Sequence, residues 1–236
     1  MVTYLLEQGA DHSWITENQE TPLILAALAK NYKSAEILLG NGADPNWTDH
    51  NSLSPLNHAV MNGDMSMVKL LLNHSADPNT SGVQGNTALM NAVFHGYPLI
   101  ALKLLQSGAQ VNAINQTGQT ALMLAASKGY RETVKLLHQH SASIDTQDLN
   151  ERNALIHAAS NGKSLVVQYL LEEDADYQVN ALDLQGNGGS ALIHAARGGH
   201  LDVLRLLLMK TLNINEVELT QRRTALMEAS IRGRRE

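Results

Sequence analysis

The chain has 236 residues, of which 44% are hydrophobic but only 4% are aromatic, a composition that favours layers of short helices packed through Leu, Ala, Ile and Val. Its net charge of −6 provides no overall field to hold a nucleic acid or an anionic membrane. The absence of cysteine excludes disulfides and thiolate nucleophiles.

The first residues have neither the basic start nor the apolar run of a signal peptide, and no stretch approaches the ~20 apolar residues of a membrane span. We therefore expect a cytoplasmic or nuclear protein without a membrane partner. Val2 to Ala10 is predicted to be the second helix of a helix pair whose first helix is missing.

A three-residue motif whose third residue is Leu recurs along the chain. Each copy opens an amphipathic run with Thr, Ser or Asn, the residue types that cap a helix, followed by Pro or Ala at the first helical position. The first five copies are 33 residues apart, and the last two follow after 37 and 34 residues. The copies begin at Thr21, Ser54, Thr87, Thr120, Asn153, Ser190 and Thr224.

Each amphipathic run leads through a small-residue turn, such as Asn62-Gly63, to a second apolar run. The second run carries adjacent leucines, as at Leu70-Leu71-Leu72, and ends at an element such as Gly42-Ala43-Asp44. Glycine permits the left-handed conformation that ends a helix. Because one helix of this length cannot bury its apolar face alone, the helix pairs are predicted to stack.

These motifs resemble ankyrin repeats, whose unit is a β-turn plus two antiparallel helices with a 33-residue period. The match extends over most of a repeat from Thr120 and from Ala191, and the resemblance covers the entire chain. It implies an all-α solenoid of helix-turn-helix repeats joined by β-hairpin loops. We expect a single domain over 1–236, with partial repeats at 1–15 and 218–236 and complete repeats at 16–48, 49–81, 82–114, 115–147, 148–182 and 183–217.

The chain departs from the family pattern at several positions. Aliphatic residues, Met or Asn replace the histidine that follows the family's leucine, and Lys30-Asn31 replaces the first turn glycine, a strain that Asn partly relieves. Four extra residues between Asp176 and Ser190 predict an enlarged hairpin. Neither end carries a polar capping repeat, which indicates a fragment.

No catalytic, cofactor or metal site is predicted. His138 and His140 with Glu132 form the tightest cluster of potential metal ligands, but a histidine pair at a helix C-terminus is typical of a solvated, dipole-favoured position. His58, His157 and His194 recur because the repeats share a register. The Gly186–Gly189 run lacks the Gly-Lys-Ser/Thr ending of a phosphate loop.

The resemblance implies a protein partner bound on the concave surface of hairpin tips and first helices. Trp14 and Trp47 share one register and should stand next to each other, either contacting a partner or packing on each other, while Phe94 is expected to face the groove. The predicted partner-binding residues are Trp14, Trp47, His50, Asn51, Leu53, Met61, Gln84, Asn86, Phe94, His95, Gln116, Gln119, Lys128 and Arg152.

Three functions agree with this pattern. The chain is interpreted first as a binding scaffold or adaptor and alternatively as the targeting module of a larger enzyme or host-directed effector. In a third interpretation it is a substrate, since hairpin asparagines in the register of Asn46, Asn79 and Asn112 can be hydroxylated in proteins of this kind. The predicted groove is mostly neutral amides, which disfavours a small-molecule or oligonucleotide ligand.

Overall fold

The computed structural model describes residues 1–173, 189–210 and 213–233. The chain packs as two units, Met1–Gln116 and Thr117–Glu236. In both units the regular structure of the described residues is helical and comes in short pairs, as expected for an all-α repeat fold.

The N-terminal unit, all of which is described, contains seven α-helices and a short 3₁₀ helix at Val83–Gly85. The first helices of the repeats contact one another in the order α2, α4, α6, and the second helices in the order α1, α3, α5, α7. Each first helix also contacts the second helix that follows it. The helices are α1 (Val2–Glu7), α2 (Pro22–Leu28), α3 (Tyr32–Gly40), α4 (Pro55–Met61), α5 (Met65–Asn73), α6 (Ala88–Phe94) and α7 (Pro98–Gln106).

The C-terminal unit repeats this arrangement. Its first helices contact one another in the order α8, α10, α12, α14, and its second helices in the order α9, α11, α13. The helices found in its described residues are α8 (Ala121–Lys128), α9 (Arg131–Gln139), α10 (Ala154–Ser160), α11 (Ser164–Glu173), α12 (Ala191–Gly198), α13 (Leu201–Leu208) and α14 (Ala225–Ile231).

The predicted caps are confirmed. In all seven copies of the motif, the Thr, Ser or Asn side chain accepts a hydrogen bond from the backbone N–H three residues later. A cap of this kind stabilises a helix by about 1 kcal/mol. The third-place leucine is buried in six copies, at Leu23, Leu56, Leu89, Leu122, Leu155 and Leu192.

Six of the seven positions that lack the family's histidine lie inside this core, and the seventh, Met227, is 51% exposed. Ile24, Met90, Met123 and Ile156 are at most 1% exposed, so apolar packing replaces the polar contacts that a histidine would make there. Asn57 is also fully buried, and its Nδ2 lies 3.5 Å from the Thr80 carbonyl oxygen.

Each turn between paired helices contains one residue in the left-handed backbone conformation. Gly63, Gly96 and Gly129 have positive φ angles of 66° to 81°, as the sequence predicts. In the first complete repeat Lys30 takes this conformation, with φ of 54°. The expectation that Asn31 relieves the strain is wrong, because Asn31 has a φ of −89° and instead caps α3.

The loops between repeats are tight turns. Asp49 N–H donates to the Leu53 carbonyl, and Ser81 and Thr87 form an isolated antiparallel bridge. Neighbouring loops of the N-terminal unit are joined where His50 N–H donates to the Asn18 carbonyl at 3.0 Å. The enlarged hairpin predicted after Asp176 falls mainly on 174–188, outside the described residues.

Two asparagines clasp successive loops of the N-terminal unit. Asn46 Nδ2 donates to the Ser75 carbonyl at 3.2 Å, and its Oδ1 accepts from the Asp77 N–H at 2.7 Å. Asn79 makes the same two bonds with Gly108 and Gln110 at the same distances. Each side-chain amide thus provides hydrogen-bond partners for two backbone groups of the next loop, which would otherwise have to bond to water.

Ser75 offers a test of the strain stored in these loops. It has φ of 65°, whereas Gly42 occupies the same register with φ of 89° and open space around it. We expect Ser75→Gly to raise the free energy of unfolding by about 0.5–1 kcal/mol, because a non-glycine residue is strained in this conformation. Urea denaturation measures the change. The reciprocal variant Gly42→Ser should lower stability, and a loss in Ser75→Gly would contradict the argument.

Candidate functional site

The hairpin tips and the C-terminal ends of the first helices present most of the predicted site residues to solvent. Met61 and Phe94, the last residues of α4 and α6, are 40% and 49% exposed. Trp14, Trp47, His50, Asn51, Gln84, His95, Gln116 and Lys128 are also exposed, and Asn86, Gln119 and Arg152 are half-buried.

Leu53 contradicts the prediction. Its side chain is only 7% exposed, and a Cβ added to Gly82 would collide with its Cδ2, so Leu53 packs against the next loop. The residue stands just before the cap Ser54, where the chain turns inward to start α4. A leucine at this point completes the core and is withdrawn from the candidate site.

The two tryptophans differ in their surroundings. Trp47 Nε1 donates to the Gln19 carbonyl at 2.9 Å, so its ring is tied to the preceding loop. Trp14 is 75% exposed. No ring contact joins the two side chains within the described residues. Trp47 therefore has a structural role in joining two loops, whereas Trp14 presents a large apolar surface to solvent.

The loop after α6 holds a small aromatic cluster. The Phe94 and His95 rings meet edge to face with centroids 5.4 Å apart, and His95 stacks on Tyr97 at 5.9 Å. Tyr97 packs on the preceding turn so closely that a Cβ at Gly63 would lie 2.9 Å from its ring. These contacts connect Phe94 to the preceding turn through His95 and Tyr97.

An exposed apolar residue ends each first helix of the N-terminal unit. Leu28, Met61 and Phe94 are one period apart, and their exposed fractions are 40%, 40% and 49%. We call these three residues the apolar ladder. Sequence reasoning missed Leu28, although the 33-residue register carries it from Met61. In the C-terminal unit the same register holds Ser127, Ser160, Arg197 and Ile231, and Ile231 ends α14 with 58% of its side chain exposed.

Two buried Asp–His pairs were also missed. His58 Nε2 donates to Asp49 Oδ2 at 2.9 Å, and His157 Nε2 to Asp148 Oδ2 at 2.9 Å. The other oxygen of Asp49 accepts two N–H groups of its own loop, including that of Leu53. Each pair thus fixes a loop to a first helix. The signal was present, because aspartate and histidine are nine residues apart in both repeats.

A charged cluster links α12 and α14 in the C-terminal unit. Glu228 is buried and accepts from Arg197 Nε at 3.1 Å and from Arg223 Nη1 at 3.4 Å. Burial alone raises the pKa of Glu228, but the two guanidinium groups outweigh it and hold the pKa below its ordinary value. Glu218 behaves likewise, since bonds from Thr220 and Gln221 offset burial and lower its pKa.

The histidines considered as metal ligands have other contacts. His138 Nδ1 lies 2.8 Å from the Tyr169 hydroxyl, and His140 Nδ1 lies 2.9 Å from the Leu136 carbonyl oxygen. In the part of the chain that the structure describes, no three His, Cys, Asp or Glu side chains are grouped as a metal site requires. None of the described helices is long and apolar enough to cross a membrane.

Comparison with protein families identifies the repeat. A family model for ankyrin repeats in three copies matches residues 36–115, 101–181 and 176–236, and a single ankyrin-repeat model matches residues 18–50. A comparison with curated proteins gives no match.

Glu228→Gln tests the charged cluster. A folded-state pKa below the unfolded value stabilises the fold above the unfolded pKa, and this contribution is lost as pH falls through the folded pKa. We expect the variant to lower the free energy of unfolding by about 1–3 kcal/mol at pH 7 and by much less near pH 3.

Urea denaturation at both pH values measures the difference, with Glu132→Gln as the control. The Glu132 side chain is 78% exposed and pairs with Arg131, so its loss should change stability little. Equal losses in Glu228→Gln at both pH values would rule out the linkage.

Proposed function

This chain belongs to the ankyrin-repeat family, and we propose that it is a protein-binding module that recognises its partner through the hairpin tips and first helices. Proteins of this family bind other proteins through variable surface residues on a repeated scaffold. The same surface serves an adaptor or the targeting module of a larger protein, since both require only that the partner be held.

The apolar ladder is the observation that carries this proposal. Three large apolar side chains stand in one register on three contacting first helices, and each is at least 40% exposed. Singly scattered exposed apolar residues need no explanation, whereas apolar residues grouped on one surface are typical of interaction sites, and we interpret the ladder as such a group. Phe and Met are also enriched in the cores of protein interfaces.

Trp14, on the first hairpin, and the polar residues of the other hairpin tips are proposed as further parts of this surface. Tryptophan is enriched among the residues that carry most of the binding energy. The exposed amides of Asn51, Gln84 and Gln116 suit a hydrated rim, where side chains fix orientation more than affinity. Lys128, Gln119 and Arg152 are proposed as a separate contact region of the C-terminal unit.

The hydroxylation hypothesis remains a prediction for Asn46, Asn79 and Asn112. Asn46 and Asn79 already use both ends of their amides to clasp the next loop. Their side chains are therefore structural elements, whatever modification they carry.

The double variant Trp14→Ala/Phe94→Ala tests the proposed surface. With purified full-length chain as bait, we expect the recovery of a specific partner to fall at least about 10-fold, because each exposed ring should contribute 1 kcal/mol or more, roughly, to binding. Quantitative mass spectrometry of the captured proteins measures recovery.

Tyr32→Ala/Leu99→Ala is the matched control. It removes one ring and one further large apolar side chain, 42% and 70% exposed, from second helices of the same unit. Both variants should unfold at the same urea concentration as the parent to within the error. Equal capture by both variants would place the partner elsewhere on the chain.

A further inference from the structure

We propose that Lys128 and Lys163, on neighbouring turns of the C-terminal unit, bind an acidic, extended segment of a partner protein through its carboxylate groups. This inference rests on the proposed function, which assigns Lys128 to a separate contact region, and it specifies the chemistry of the partner there. Three observations carry it: the contacts between the turns, the excess of positive charge along them and the spacing of the turns.

The turns between the paired helices of the C-terminal unit lie side by side. The first helices α8, α10 and α12 contact one another in that order, and a turn follows each of them. Asn161 Nδ2 donates to Ser127 Oγ at 3.3 Å, which joins the second turn to the first. His200 Nε2 lies 3.2 Å from the Ser160 carbonyl oxygen, which joins the third turn to the second. We call these three turns, 127–131, 160–164 and 197–201, the turn row.

Lys163 lies against the turn that carries Lys128. A Cβ added to Gly129 would lie 2.8 Å from Lys163 Cδ, so the aliphatic part of Lys163 packs on the neighbouring turn. Lys128 directly precedes Gly129 and is exposed, whereas Lys163 is half-buried. The packing thus brings two positive charges to adjacent turns. Because like charges repel, an anion bound beside both side chains is favoured.

Positive charge predominates along the turn row and the adjoining starts of the second helices. These parts of the C-terminal unit carry six basic and two acidic side chains, over 127–135, 160–168 and 197–205. The same positions of the N-terminal unit carry three basic and two acidic side chains, over 28–36, 61–69 and 94–102. The basic residues of the C-terminal set are Lys128, Arg131, Lys135, Lys163, Arg197 and Arg205, and the acidic residues are Glu132 and Asp202. The excess is local, since the whole chain has a net charge of −6.

The carboxylate that follows the first turn has cations of its own helix beside it. Glu132 Oε1 lies 3.1 Å from Arg131 Nη1 and 3.7 Å from Lys135 Nζ. Because two cations already flank this carboxylate, it leaves the positive charge of Lys128 and Lys163 in excess.

The third turn contributes less to the site. Arg197 Nε donates to the buried carboxylate of Glu228 at 3.1 Å, and Asp202 Oδ1 lies 4.0 Å from Arg205 Nη1. Positive and negative side chains therefore offset each other there, and the site is assigned to the first two turns.

Lys163 occupies a position where helix stability favours another residue. Val167 N–H donates to the Lys163 carbonyl at 2.9 Å, which places Lys163 at the N-terminal end of α11. Asn31 and Asp64, in the same register of the N-terminal unit, cap α3 and α5 with side-chain oxygens. A lysine side chain has no acceptor, and positive charge is unfavourable at a helix N-terminus. The fold alone therefore does not account for Lys163, which we interpret as a binding residue.

The spacing of the turns favours an extended peptide. Packed helices lie about 8–10 Å apart, so neighbouring turns offer positive charge at about that interval. A polyproline II peptide has three residues per turn and rises about 3.1 Å per residue, so every third side chain lies on one face about 9.3 Å from the last. A DNA strand carries one charge per ~3.4 Å, a density that one lysine per turn does not match. Acidic residues at every third position of an extended peptide therefore suit the two lysines better than a nucleic acid does.

Lys128→Asn/Lys163→Asn tests the site and preserves the scaffold. Asparagine already stands in both registers, at Asn62 and Asn31, so the fold accepts it there. Lys128→Arg/Lys163→Arg keeps the charge and is the second variant. Both variants should unfold at no lower urea concentration than the parent.

The probe is a synthetic peptide of six Glu-Pro-Ala repeats, labelled for fluorescence anisotropy and titrated with the full chain. We expect binding that weakens with salt and that is at least about 5-fold weaker for the asparagine variant, because two charge pairs are lost. The arginine variant should bind like the parent. Arg205→Gln/Lys210→Gln is the matched control, since it removes two exposed positive charges elsewhere in the same unit and should also bind like the parent.

Equal binding to the parent and the asparagine variant would overturn the site, and so would an equal loss in the control variant, which would show an effect of net charge alone. Equal binding of a peptide with Gln in place of Glu would overturn the carboxylate chemistry. Equal binding of a peptide of the same composition with its glutamates grouped at one end would overturn the spacing. Tighter binding of a six-nucleotide oligothymidine would assign the site to nucleic acid instead.

The capture experiment distinguishes this failure from that of the proposed function. If Trp14→Ala/Phe94→Ala abolishes capture but the Glu peptide neither binds nor competes, the chain binds protein through the N-terminal unit and the acidic partner is rejected. If the Glu peptide binds and depends on the two lysines while Trp14→Ala/Phe94→Ala captures like the parent, the aromatic surface is rejected and the acidic partner stands.

Discussion

The α-helices in the described part of the chain are six to ten residues long, too short to be stable by themselves in water, and the rest of the structure follows from that constraint. First helices such as α2 and α4 are seven residues long, well below the length at which a helix is stable in water. Both nevertheless bury their third-place leucines completely, because each has a paired second helix and a neighbouring first helix to pack against. Stacking is therefore the source of stability, and it forces every repeat to keep the same register.

The shared register also creates the candidate site. When first helices stack in a fixed order, the residues that occupy one exposed position in successive helices form a row on the surface. The position held by Leu28, Met61 and Phe94 is free to vary because it ends its helix outside the core. Apolar residues stand there on all three first helices of the N-terminal unit, whereas the four first helices described in the C-terminal unit carry Ser127, Ser160, Arg197 and Ile231. Recognition can thus differ between units while their packing stays the same.

The helices, caps and turn glycines could be predicted from the sequence because each depends on residues close together in the chain. Leu53 could not be placed, since its burial depends on contact with Gly82 in the next loop. The Asp49–His58 pair was missed for a related reason. His58 lies in α4, whereas its acceptor Asp49 lies in the loop before that helix, and the sequence alone does not show that the two side chains meet. Leu28 was missed only because the register of Met61 was not extended one repeat towards the N-terminus.

The asparagine clasps have a consequence for how the stack comes apart. Asn46 holds two backbone groups of the loop that begins at Ser75, and Asn79 does the same one repeat later. When one loop opens, its neighbour loses two hydrogen bonds as well as apolar contact. Melting of a repeat therefore carries a penalty at its boundary with the next repeat, and that boundary term, more than the strength of any single repeat, sets how many repeats melt together.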